Sequence, residues 1–164
     1  MAAILSGCTS SASRMEVYVP HACHGSAAPF STYALEFVDV PGFIEDVIAT
    51  SARGALAAVD LEEASVREEA DLRVINTFYL IDRNPPPSPE DPMGEAVPSP
   101  DINRFIAHLN VDVVDQRRDN IIFSGNMYRY HAIRGGETFH DEHAVLIIRQ
   151  AYDEMFVGLT APCG

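Results

Sequence analysis

The chain has 164 residues and a formal charge of −13, from 24 acidic side chains against 11 basic ones, and every base is an arginine. Such acidity argues against a nucleic-acid partner, because like charge repels a phosphate backbone, and the lack of lysine excludes Schiff-base and pyridoxal-phosphate chemistry as well as the lysine of a phosphate-binding loop. Apolar residues make up 47%, enough for one domain with a sizeable core, while no apolar run approaches the roughly 18–20 residues of a spanning helix.

The first stretch with a signature is Ile4-Leu5-Ser6-Gly7-Cys8. Leu5, Ser6, Gly7 and Cys8 resemble the lipobox of bacterial lipoproteins, a Leu and two small residues before the Cys that becomes lipidated and N-terminal. The resemblance implies that residues 1–7 are the remnant of a lipoprotein signal peptide whose charged and apolar parts precede Met1. It also implies that Cys8 carries the lipid, palmitate among its acyl groups. Thr9 after it suits outer-membrane retention, with the domain facing the periplasm. Three cysteines are present, Cys8, Cys23 and Cys163, none in a C-x-x-C pair. With Cys8 lipidated, Cys23 and Cys163 remain as an even pair, which predicts a disulfide in an oxidising compartment. The alternative is three unrelated thiols in a cytosolic protein.

Residues 8–30 read as a small, polar tether and an irregular lead-in broken by Pro and Gly. A single domain is expected over residues 31–164. Its first strand is Ser31 to Val40, with Tyr33, Leu35 and Phe37 on one face. After Pro41 and Gly42, apolar residues at Ile44, Ile48, Ala52, Ala55, Leu56 and Val59 recur at the spacing of one helical face. Asp60 to Asp71, with six acids and one arginine, reads as a solvated helix end and turn. A cation-binding patch there would match no Ca²⁺ loop spacing.

Asp71 to Asp82, rich in β-branched and aromatic residues, predicts the second strand. Residues 84–101 carry seven of the eleven prolines and can form no ladder. They read as a long excursion between strands, and also as the candidate contact surface for a protein partner. Phe105, Ala107, Leu109, Val111 and Val113 then alternate with His108, Asn110 and Asp112. A polar turn at Gln116 to Asn120 leads back through Ile121, Phe123, Gly125 and Met127, which predicts a hairpin. His131 to Glu142 reads as a loop. Val145, Ile148, Tyr152, Met155, Phe156 and Leu159 mark a second amphipathic helix from Asp141 to Leu159. The expected fold class is α+β: a two-layer sandwich of an antiparallel-rich, four-stranded sheet with both helices on one face.

This β-α-β-β-β-α order, together with the Leu5–Cys8 start, resembles a group of small bacterial envelope lipoproteins built on a domain of unknown function. The likeness runs from about Ser31 to Pro162. It is carried by Ser31–Phe37, by Ala70–Val74 and by the hairpin Leu109–Gly125. Asp115 and Phe123-Ser124-Gly125 stand where such proteins have an aspartate-led turn and an aromatic-x-glycine, with Phe in place of Trp. Val59-Asp60-Leu61 replaces the glycine usual before the second strand. No enzymatic activity, cofactor or catalytic residue comes with the resemblance.

The functional reading is therefore a non-catalytic envelope lipoprotein, membrane-anchored through Cys8, with a binding or structural role. The alternative is a small metal-dependent hydrolase using His21, His24, His140 and His143, since imidazole beside Cys23 suits Zn²⁺ or Cu²⁺. Their spacing matches no H-E-x-x-H signature, and Asp141 and Glu142 more simply serve the positive end of the last helix. A serine triad is disfavoured because Ser124 sits in a strand and not in G-x-S-x-G. Glu62/Glu63 and Glu68/Glu69 are chain neighbours, which suits a solvated turn better than a glycosidase cleft.

Overall fold

A computed structural model of the chain describes residues 16–22, 30–83, 102–134 and 141–160. At its centre is the long hairpin β5 (Ile102–Asp115) and β6 (Asn120–Arg134), joined by the turn at 116–119. β4 (Leu72–Asp82) pairs antiparallel with β5 along its whole length, Leu72 opposite Asp115 and Asp82 opposite Phe105. β2 (Thr32–Val38) lies parallel to β4 and is connected to it through α1 (Gly42–Ala57). The last helix, α2 (Asp141–Phe156), ends in a 3-10 turn at Val157–Thr160.

The architecture is α+β, as the sequence predicts, but the sheet has six strands rather than four and is mixed. Its order is β1-β6-β5-β4-β2-β3. The two additional strands lie at the edges. β1 (Glu16–Ala22) falls within the stretch read as tether and lead-in, and pairs antiparallel with β6. Its register breaks between Tyr18 and His21, around Pro20, a residue with no N–H for the ladder. β3 is only Glu62–Glu63, parallel to β2, within the stretch read as a solvated turn. Arg53 of α1 holds Glu63 through Nε at 2.7 Å and a second nitrogen at 3.1 Å.

Alternation decides which face is covered. Tyr33 of β2, Leu72 and Val74 of β4, Leu109, Val111 and Val113 of β5, and Phe123 and Met127 of β6 point to the helices and are buried. Ile48, Ala52 and Leu56 of α1 and Tyr152, Met155 and Phe156 of α2 complete one core. The helices touch each other, so both lie on the same face. β6 departs from strict alternation at a bulge opposite Val113 and Val114. The extra residue sends Ile122 inward beside Phe123 and turns Ile121 out, where it is 51% exposed. A Cβ on Gly125 would stand 2.5 Å from Met155 Sδ, so this glycine is the contact point of α2 with the sheet.

Two polar arrangements fix the layers. Asn76 is fully buried in mid-sheet. Its amide donates to the carbonyls of Glu36 (3.3 Å) and Val74 (3.2 Å), and its Oδ1 accepts the Tyr152 hydroxyl at 2.5 Å. Burial pushes the Tyr152 phenol far above its usual range, so it stays a neutral donor. At the strand ends, Asp71 Oδ2 accepts the N–H groups of Ser31 (3.0 Å) and Thr32 (3.2 Å) and both hydroxyls. Arg117 from the hairpin turn donates to Oδ1. These donors, the Ser31 N–H foremost, hold the Asp71 carboxyl down at about 2.

Replacing Tyr152 by Phe should leave Asn76 Oδ1 buried without a donor and cost about 1–3 kcal/mol in urea unfolding. An unchanged midpoint would contradict that role. Because the folded pKa of Asp71 lies below the unfolded 3.8, its contribution, on the order of 2 kcal/mol at most, is present above pH ~4 and is lost as pH falls toward 2. Asp71→Asn should flatten that part of the stability–pH curve, which denaturant titrations between pH 2 and 6 will show.

Candidate functional site

A length mismatch makes the site. A helix of 16 residues spans about 24 Å, whereas a strand of 14 residues spans about 46 Å; α1 and α2 have 16 residues each, β5 has 14 and β6 has 15. The helices therefore cover only part of the sheet face, yet the apolar alternation of the strands continues past them. Phe78 and Leu80 extend the inward row of β4, and Phe105 and Ala107 that of β5. The result is an apolar groove of about 360 Å³ between the strand ends and the helices. Pro41, Phe43, Ile44 and Ile48 form one wall, Ile147 and Ile148 of α2 the other, and Leu109 belongs to the floor. Phe43 is 73% and Leu80 63% exposed, so the rim itself is apolar.

The polar members of the lining are Arg129 and His131, from the inward row of β6 that begins with Met127. The His131 ring stacks on Phe105, with centroids 4.9 Å apart and planes within 13°. Burial, and then the Arg129 guanidinium, lower the His131 pKa below its usual value. The ring is therefore neutral at neutral pH, a polar edge on an aromatic stack. A shallower depression shares Phe105 and His131 with the groove and adds Arg83, Arg104 and Tyr130. The Arg83 N–H bonds the Arg104 carbonyl at 2.9 Å, continuing the ladder past β4.

Most residues singled out from the sequence are not part of this groove. Cys8, Cys23, Cys163, His24, His140 and the segment 84–101 lie outside the described residues. His21 belongs to β1, opposite Ser124, and His143 to the first turn of α2. Among the described residues no group of three or more His, Cys, Asp or Glu is placed to hold a metal ion. On the sheet face away from the helices, the Ser124 hydroxyl donates to Asp112 (2.6 Å), whose other oxygen accepts from Asn110 (2.7 Å). His108 bonds Asn126 (3.0 Å) and stacks on Tyr79. Serine and histidine are thus each tied to another partner, and no serine–histidine pair forms between them. His108 is half-buried in this polar ladder.

Sequence reasoning does not single out Arg129, which falls at the polar end of the returning strand, or His131, because His131 onward reads as a loop. β6 in fact runs to Arg134. The signal was present: Met127, Arg129 and His131 keep the period of two, and the apolar row Phe78–Leu80 continues that of Val74.

No protein-family model matches the sequence, and no curated protein matches it. Solved structures do. The PelC dodecamer from Paraburkholderia phytofirmans is similar over 91% of this chain and 99% of that one, at 9% identity and a TM-score of 0.52. The likeness is one of fold. A DUF4136 family protein from Bacteroides thetaiotaomicron matches over 90% of this chain and 98% of that one, at 16% identity and a TM-score of 0.49. A minor lipoprotein from Acinetobacter baumannii matches over 80% and 91%, at 10% identity and a TM-score of 0.46. Among the described residues no helix is long and apolar enough to cross a membrane.

Removing the positive charge beside His131 should raise its pKa toward 6.5. Arg129→Gln should show this as an upward shift of the imidazole titration followed by NMR. A midpoint unmoved or lowered would place Arg129 away from the ring.

Proposed function

We propose that this chain is a non-catalytic lipoprotein of the bacterial cell envelope, anchored through Cys8, whose folded domain binds an apolar ligand in the groove between α1, α2 and the strand ends. The groove carries the reading. It offers about 360 Å³ of concave apolar surface with few polar groups, the usual character of a small-molecule site. Its ionisable members, Arg129 and His131, suit binding and orientation, and neither stands beside a nucleophile within the lining. The anchor rests on Leu5-Ser6-Gly7-Cys8, and outer-membrane retention with the domain in the periplasm rests on Thr9. The earlier candidate surface, residues 84–101, remains a second proposed contact for a protein partner. It leaves and re-enters the fold beside the groove, after Arg83 and before Ile102.

A disulfide between Cys23 and Cys163 belongs to the same proposal. β1 ends at Ala22 and touches the 3-10 turn that ends at Thr160. The two cysteines thus follow, by one and three residues, elements in contact. Closing so long a loop would contribute about 3–5 kcal/mol in the chain-entropy model.

Mass spectrometry of the protein from bacterial envelopes tests both parts. The N-terminal peptide should begin at a diacylglyceryl- and acyl-modified Cys8, and a non-reducing digest should hold the Cys23 and Cys163 peptides together. An unmodified peptide running through Cys8 would remove the anchor, and free thiols at both other cysteines would remove the bridge.

A further inference from the structure

We propose that the groove end of the domain seats on the lipid bilayer to which the chain is tethered, with Phe43, Leu80 and Leu146 entering the interface between head groups and acyl chains. The proposal rests on the reading of Cys8 as the anchor and goes beyond it by naming the face turned to the membrane. Topology brings the residues together. Both helices begin at the groove and β4 finishes there. Phe43 stands in the first turn of α1, Val145 and Leu146 in the second turn of α2, and Leu80 and Ile81 at the close of β4. Tyr130 is paired with Ile106 of β5, as is Ile81 from the other side. Twelve large apolar side chains are exposed among the described residues, and these are six of them. Single exposed apolar residues are ordinary on a protein surface, whereas half of them gathered at one end mark a contact. Ile81 and Tyr130 lie on the outer face of the sheet and the other four on the helix side, so the apolar rim passes round the end of the domain.

The place where the N-terminal chain joins the fold selects the occupant. β1 runs antiparallel to β6, Glu16 opposite Tyr128 and Ala22 opposite Phe123, so the chain enters β1 from the side nearer the groove. Cys8 precedes Glu16 by eight residues, which span at most about 28 Å. The six residues of β6 from Tyr128 to Arg134 take about 20 Å. A Cys8 held in a bilayer therefore leaves the groove end free to touch it. The eight residues from Tyr128 back to Asn120 take about 27 Å, and the hairpin turn at 116–119 lies beyond them. That opposite end uses up the whole tether, and it presents Glu62, Glu63, Glu68 and Glu69 to water. Charge then decides the kind of lipid. The chain carries −13, and Glu45 and Asp46 are exposed beside Phe43. An anionic surface repels such a domain, so the contact is made by apolar insertion into zwitterionic lipid, with Tyr130 at the level of the head groups, where tyrosine is commonly found. Seated in this way, the groove opens onto the bilayer.

The chain has no tryptophan, so one substitution provides a clean fluorescent probe. The test uses the full chain carrying its Cys8 lipid in phosphatidylcholine vesicles, and in parallel the full chain with Cys8→Ser added to the same vesicles. In the anchored protein, Phe43→Trp emission should shift to the blue and be quenched by lipids brominated along the acyl chain. Ile121→Trp, near the opposite end, should keep the emission it has in water. Should Phe43→Trp disturb the start of α1, Leu146→Trp on the other helix takes its place. The Cys8→Ser form should partition weakly onto the vesicles, equally at low and high salt. Leu80→Glu combined with Leu146→Glu should weaken that partitioning by about tenfold or more.

Phe43→Trp and Leu146→Trp emission unchanged by vesicles in the anchored protein would overturn the seating and leave the anchor standing. A chain found without lipid at Cys8, whose Cys8→Ser form still partitions through Leu80 and Leu146, would remove the anchor and support the seating. Partitioning that requires anionic lipid and disappears at high salt would overturn the apolar contact. A concentration-dependent dimer of the Cys8→Ser form, lost in Leu146→Glu and formed without any partitioning, would give this end to a second copy. Partitioning that emerges only after shortening the chain across Pro85 to Pro100 would give it to that segment instead.

Discussion

Asn76 is the residue on which the two layers depend. An amide at the centre of an apolar sheet face is costly unless all its hydrogen-bonding groups are met. Here the obligation is divided. The two carbonyls of Glu36 and Val74 take its N–H groups from within the sheet, and the Tyr152 hydroxyl reaches its oxygen from α2. A purely apolar contact would let the helix slide or rotate at small cost. This bond allows one rotation and one height, and Gly125 against Met155 sets the distance. With α2 fixed there, Ile147 and Ile148 stand one to two turns earlier on the same helix and become the wall of the groove. The groove's width is thus a consequence of a hydrogen bond in the core.

Asp71 does for the strand ends what Asn76 does for the layers. Parallel pairing of β2 with β4 has no hairpin to enforce its register, because α1 intervenes. The Asp71 carboxylate, just before β4, accepts the amides at the start of β2 on one oxygen, and Arg117 from the hairpin turn donates to the other. Three segments distant in sequence meet at one charge. At the far ends of the strands the sheet outruns its helices, and there the groove opens.

The layers were largely legible in the sequence because they are built from repeating patterns. Both helical stripes, the alternation of Phe105 to Val113 and the polar turn before Asn120 correspond to elements in place. What escaped has no pattern to read. β3 is two glutamates whose strand character comes only from pairing with Thr32 and Tyr33. β1 includes a proline and a register break. The bulge at Ile122 leaves the apparent alternation of Ile121, Phe123 and Gly125 intact while reversing the first of them. At three turns the backbone takes a positive φ without a glycine to announce it: Asp39, Asp60 and Asp119. Asp60 stands where a helix-ending glycine is usual, with Leu61 N–H bonded back to Leu56 O at 3.1 Å. The candidate site was half legible. Its apolar rows were on the page, but of the two polar residues that qualify it His131 reads as loop and Arg129 as the polar end of a strand.

The two outermost strands have a bearing on how copies of this molecule can meet. An open sheet normally offers a row of unpaired amides at each border, and neighbouring molecules can add to it one strand at a time. At one border the two-residue β3, with Arg53 bound to it, covers β2 beside Thr32 and Tyr33 and leaves only the short remainder of β2 as an edge. The other carries Pro20 and a break in register. Neither gives a run of donors and acceptors long and straight enough to template another chain. Among the described residues, then, faces, helices and loops are better suited than strand borders to bring copies of this domain together.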